Sequence, residues 1–130
     1  MSEEAELEWQ IFEKNVTKFS KFLKSFNIDF KIMISPILFQ IDMQGIHPRY
    51  NDFNLDFTCS SIEPKKRLLA LASKNDIEIY DPEKYLRTMF FERVEDRNFE
   101  PFYFTADDNH FTPLASGYIA QFMAKNWLNN

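Results

Sequence analysis

A carboxylate lies three residues ahead of a histidine in Phe104-Thr-Ala-Asp107-Asp108-Asn109-His110-Phe-Thr-Pro-Leu-Ala-Ser-Gly117. In a tight turn this spacing lets Asp107 fold back onto the His110 imidazole, fix one tautomer and stabilise the imidazolium. The second ring nitrogen then faces outward and can take a proton from a hydroxyl nucleophile. Asp108 is the alternative carboxylate. Spacing alone leaves a plainer reading open, in which Asp107 forms the turn and His110 is a satisfied polar side chain. His47, beside Pro48 and Arg49, reads as an exposed loop residue. With Asp107, Asp108 and His110 it has the donor chemistry of a zinc or iron site, but nothing in the spacing brings it to them. Ser35, Ser60, Ser61 and Ser116 read as structural, since none sits in a strand-to-helix elbow. Cys59 reads as an inert buried thiol. No cofactor or metal is expected.

The elements that must position the Asp107–His110 turn follow from hydrophobic periodicity. From Ser2 to about Asn27 the pattern is helical, with Phe12, Val16, Phe19, Leu23 and Phe26 at spacings of four and three, extended upstream by Leu7 and Trp9. Lys14, Lys18, Lys21 and Lys24 occupy another face, and the acidic residues come first, as the helix dipole favours. Asp29–Ser35, closed by Pro36, reads as a buried parallel strand. Residues 36–61 form a long variable loop with weak periodicity, whose aromatics Phe39, Tyr50, Phe53 and Phe57 suit core or lid packing or a ligand wall. A helix over 62–75 and a strand over 77–80 follow. Asp81-Pro82 then starts a helix to about Arg93, and 99–104 is extended. Thr112-Pro113 caps a last helix to about Leu128, with Leu114, Tyr118, Phe122 and Met123 as its stripe and Gly117 permitting close packing. Helices alternating with strands predict an α/β fold, with a short parallel sheet between helical layers. Two or three strands leave that sheet incomplete at one edge.

Composition bounds the function. The 130 residues amount to one domain over 1–130, with 45% hydrophobic and 27% charged residues. Fifteen basic against 20 acidic residues, a net charge of -5, argue against a nucleic-acid partner held through phosphates. The single cysteine excludes an internal disulfide framework. No apolar run reaches the roughly 20 residues that span a bilayer, and Ser2-Glu3-Glu4 is no signal peptide. The cytoplasm is the default compartment, unless the chain belongs to a longer secreted or anchored protein. Phenylalanine occurs 15 times and glycine only twice. Sites that hold oxyanions or phosphates with backbone amides usually need glycines, so half of such an apparatus is missing.

The segment from Asp107 onward resembles the terminal block of the SGNH (GDSL-type) hydrolases, in which D-x-x-H precedes the C-terminal helix. His110-Phe-Thr-Pro-Leu-Ala-Ser-Gly-Tyr-Ile-Ala is similar to that family's H-x-[NT]-x-x-G-[HY]-x-x-[IV]-A, with Gly117 one residue later than in the commonest version. About residues 10–128 resemble its layout, and only the Asp107–His110 block is specific. The resemblance implies a three-layer α/β/α, flavodoxin-like fold. It also implies a C-terminal portion of a serine esterase or O-acyl (acetyl) transferase acting on an acylated small molecule or carbohydrate. His110 is then the general base and Asp107 its orienting partner. The nucleophilic serine of the G-D-S block and the oxyanion glycine and asparagine have no counterpart here, so these residues alone are expected to be inactive. The competing expectation is a non-catalytic α/β interaction module, docking a second chain or a copy of itself at its open sheet edge.

Overall fold

The computed structural model describes residues 2–42, 63–104 and 110–127. Their order is α1 (Glu3–Ser25), β1 (Lys31–Met33), α2 (Leu38–Ile41), α3 (Glu63–Asn75), β2 (Glu78–Tyr80), α4 (Glu83–Glu95) and α5 (Pro113–Asn126). β1 and β2 pair in parallel as the only sheet among the described residues, each strand three residues long. This corrects the three-layer α/β/α expectation. Two short strands cannot form the middle layer of such a fold, and the described chain is chiefly helical. Helix α2 also lies inside the stretch read as loop. The other aromatics of that stretch, Tyr50, Phe53 and Phe57, lie outside the described residues, as does the Phe39 side chain.

The chain divides into two compact units, one of Met1–Ile32 and Ile62–Ile79, the other of Met33–Ser61 and Tyr80–Asn130. In the first, α1 packs on α3. Ser2 caps α1 by accepting from the Ala5 N–H at 3.2 Å, and Glu3, Glu4 and Glu6 sit in the first turn, where negative charge is favoured. Leu71, Ala72 and Ile77 are buried, and Ser20 is the sole buried residue of α1.

The second unit holds the larger core. Leu38, Ile41, Leu86, Phe90, Phe102, Tyr103, Ala115 and Ile119 form one buried cluster, flanked by half-buried Met33, Met89, Phe111 and Tyr118. Phe90 meets Phe102 edge-on, with centroids 5.6 Å apart and planes at 81°. Tyr103 is fully buried, and its hydroxyl donates to the Pro36 carbonyl at 2.6 Å. Losing that donor would strand a carbonyl inside the core, which costs about 1–3 kcal/mol. Asp81 starts α4 by accepting from the Glu83 N–H at 3.1 Å. Thr112 caps α5, accepting from the Ala115 N–H at 3.4 Å while its hydroxyl donates to the Pro101 carbonyl at 2.7 Å.

Three helices end the same way. Asn27, Asp76 and Arg97 adopt φ of 57°, 53° and 55° within two residues of the ends of α1, α3 and α4. In each case the next residue's N–H reaches back five positions. Ile28 donates to the Leu23 carbonyl at 3.0 Å, Ile77 to Ala72 at 2.9 Å and Asn98 to Arg93 at 2.8 Å. These are Schellman turns, whose left-handed residue is usually glycine. The glycine shortage is therefore felt at helix ends, a second reading beside the missing oxyanion loop.

Gly117 lies on the last helix as expected but does not serve the close packing expected of it. A Cβ built on it meets nothing within 4 Å, so it faces open space on α5 and allows no close packing. Gly117→Ala should then raise stability by about 0.5–1 kcal/mol, by lowering the freedom of the unfolded chain and improving helix propensity. Urea denaturation followed by circular dichroism checks this; a loss of stability would mean that the glycine is packed after all.

Candidate functional site

From His110 to Thr112 the backbone is held against Phe102–Phe104. Phe111 forms an isolated antiparallel bridge with Tyr103, and Thr112 N–H donates to the Phe102 carbonyl at 2.9 Å. The Phe104 N–H donates to the His110 carbonyl at 3.3 Å. His110 thus stands exposed on a pinned segment, one residue before the Phe111 ring that packs on buried Tyr103 and two before the Thr112 cap. Asp107 and Asp108 lie outside the described residues, as do His47, Cys59, Ser60 and Ser61. Of the remaining sequence candidates, Ser35 and Ser116 are exposed and stand in neither an elbow nor a charged cluster. Among the described residues no group of three metal-ligating side chains comes together.

One polar residue escaped the sequence reading. Asp42, the C-cap of α2, is 1% exposed beside the aromatic core. Nothing in its spacing marks it, because a lone acid after a short apolar run has the appearance of loop surface. Close by, Arg87 donates to the Gln40 carbonyl through Nε at 3.2 Å and Nη2 at 2.7 Å, satisfying the end of α2, and pairs with Glu83 one turn away.

The most concentrated electrostatics lie in the first unit. Arg67 on α3 makes a fork to Glu6 on α1, with Nη1–Oε2 at 2.6 Å and Nη2–Oε1 at 3.0 Å. Its guanidinium carbon is 4.9 Å from the Trp9 ring centre, and Glu13 is 3.7 Å away. Trp9 in turn donates to Glu13. The hydrogen-bonded guanidinium holds the Glu6 carboxyl below the usual carboxylate range. Beside this clasp is an open cleft of about 490 Å³, lined by Lys14, Lys18, Lys74 and Thr17 among others. The arrangement fastens two helices; it offers no buried nucleophile or base.

The largest departure from ordinary surface is apolar. Leu7, Ile11, Phe12, Phe19, Phe22 and Phe26 of α1 and its C-cap are between 41% and 62% exposed. Helical geometry explains why. Trp9, Glu13, Val16, Thr17 and Leu23 are half-buried and Ser20 is buried, whereas Ile11, Phe22, Phe26, Phe19 and Phe12 lie on an adjoining arc. The sequence stripe of Phe12, Val16, Phe19, Leu23 and Phe26 therefore straddles a half-buried and an exposed face. Ile11 and Phe22, off that stripe, were the signal: with them the apolar arc is wider than one packed helix covers.

Comparison with protein-family models, curated protein sequences and solved structures gives no match to this chain.

The Glu6–Arg67 fork makes a pH prediction. A carboxyl whose pKa is lowered by folding contributes stability that is complete above its ordinary value of 4.5 and is lost as pH falls through its lower folded value. Arg67→Met should therefore destabilise the protein more at pH 7 than at pH 3. Paired urea titrations at the two pH values measure that difference; equal penalties would leave only the lost packing on Trp9.

Proposed function

We propose that this chain is a non-catalytic interaction module that docks another helix against α1. The observation that carries this reading is the apolar arc of α1, about half exposed along Ile11, Phe12, Phe19, Phe22 and Phe26. Exposed apolar patches on a folded surface mark association sites. The three-residue strands offer a partner only a few backbone groups, so α1 replaces the sheet edge as the docking element. The cleft beside Arg67 is open, and among the described residues its Arg67 is already paired with Glu6 and Glu13.

A specific observation favours a second reading, in which the chain supplies the Asp107–His110 pair to an SGNH-type ester hydrolase or acyltransferase. His110 is exposed directly ahead of the helix capped by Thr112, as the resemblance of the terminal block requires. Ester hydrolysis by the full reading frame, compared with its His110→Ala variant, separates the two.

For the interaction reading, a photoreactive phenylalanine analogue is placed at Phe22 in the cells that make the protein. Irradiation should give an adduct of discrete mass, and the same analogue at Lys84 on α4 should give none. Absence of any adduct at Phe22, with the analogue incorporated, rules the reading out.

A further inference from the structure

We infer that the occupant of the exposed α1 face is a second copy of this chain, with the two α1 helices antiparallel; this rests on α1 being the docking element. The first argument is charge. Along α1 the acids Glu3, Glu4, Glu6, Glu8 and Glu13 fill the first half, and Lys14, Lys18, Lys21 and Lys24 the second. Within the described structure Glu6, Glu13 and Lys24 are engaged by Arg67 or Asp76. Glu3, Glu4, Glu8, Lys14, Lys18 and Lys21 make no ion pair there. The unused charges are thus segregated, acidic toward one end and basic toward the other. Antiparallel pairing of two identical helices sets each acidic half beside its partner's basic half. Parallel pairing stacks like on like.

The second argument is the position of Asn15. At 100° per residue it falls in the middle of the exposed arc, between Ile11 and Phe22 on one side and Phe12, Phe19 and Phe26 on the other. It is also near the midpoint of Glu3–Ser25, and it is exposed. An antiparallel two-fold pair centred there brings Asn15 against the partner's Asn15, where two side-chain amides satisfy each other. Glu4 and Glu8 fall on the same arc nearer its acidic end, so Asn15 is the polar side chain at its middle, and a slip of register sets its amide against phenylalanine. The same register puts Glu8 of one copy alongside the Lys18–Lys21 turn of the other.

The third argument is size. Five large side chains at about half exposure, with roughly 200 Å² for each whole side chain, bring on the order of 500 Å² per copy. The pair then buries about 1,000 Å², the lower bound of a specific interface. The expected dimer is accordingly modest in affinity and weakened by salt.

Sedimentation velocity on the purified full chain, from 1 to 200 µM, should show a species approaching twice the 15.6 kDa chain mass at the upper end. Glu4→Lys with Glu8→Lys should shift the midpoint at least tenfold to higher concentration, as should Lys18→Glu with Lys21→Glu. Combining all four should restore association, which also shows that neither pair merely unfolds the protein. In a Cys59→Ser background, Asn15→Cys should cross-link to itself on oxidation and Glu4→Cys should not. A chain that stays monomeric at 200 µM overturns the inference, as does self-cross-linking through Glu4→Cys. If that monomer still gives a cellular adduct at Phe22, the docking reading stands and the occupant is a different protein.

Discussion

The second unit depends on one buried hydroxyl. Tyr103 occupies the centre of the Phe90–Phe102–Ile119 cluster with no exposed surface, so its hydroxyl must find an acceptor inside. The Pro36 carbonyl, 67 positions away in sequence, is that acceptor. Proline supplies an acceptor but no donor, and its fixed φ leaves the carbonyl on a stiff segment ahead of α2. The bond thereby ties α2 to the bridge between Tyr103 and Phe111, and the bridge places both the Thr112 cap and α5. His110 owes its backbone position to the same chain of contacts.

The first unit is built on the opposite balance. Its helices meet through charged and amphipathic side chains, with Arg67 stacked on Trp9 and forked to Glu6, and few of its residues are fully buried. A clasp of this kind is directional. It selects which edge of α1 faces α3, and in doing so turns the phenylalanine edge away. Fifteen phenylalanines in 130 residues suggest one large core, yet Phe12, Phe19, Phe22 and Phe26 are spent on a surface. The apolar content of the chain therefore describes a surface as much as an interior.

The elements were largely legible from local signals. Ser2, Asp81 and Thr112-Pro113 announced helix starts that the structure places within a residue or two, and Lys31–Met33 and Glu78–Tyr80 lie inside the segments read as strands. Their assembly was not legible. Alternating helices and short β-favouring runs suggested layers around a parallel sheet, but alternation does not say how long a strand remains paired. Three residues make a contact, not a layer. Helix α2 was hidden because four residues are too few to show a period. The chemistry-bearing spacing of Asp107 and His110 was plain in the sequence. The orientation of the apolar arc of α1 was not, because periodicity reports that a face exists without saying what covers it. That choice falls to Arg67, and a single arginine on another helix carries no periodic signal.

The three left-handed helix ends bear on how the chain finds its fold. Each Schellman turn closes between residues five apart, Leu23 to Ile28, Ala72 to Ile77 and Arg93 to Asn98. Loops so short lose little entropy on closing, and they close on the timescale of helix formation itself. The Tyr103–Pro36 bond must close a loop of more than sixty residues, which is far slower. The helix ends are therefore defined by local bonds, whereas the docking of α2 on the Tyr103 bridge depends on residues far apart in sequence.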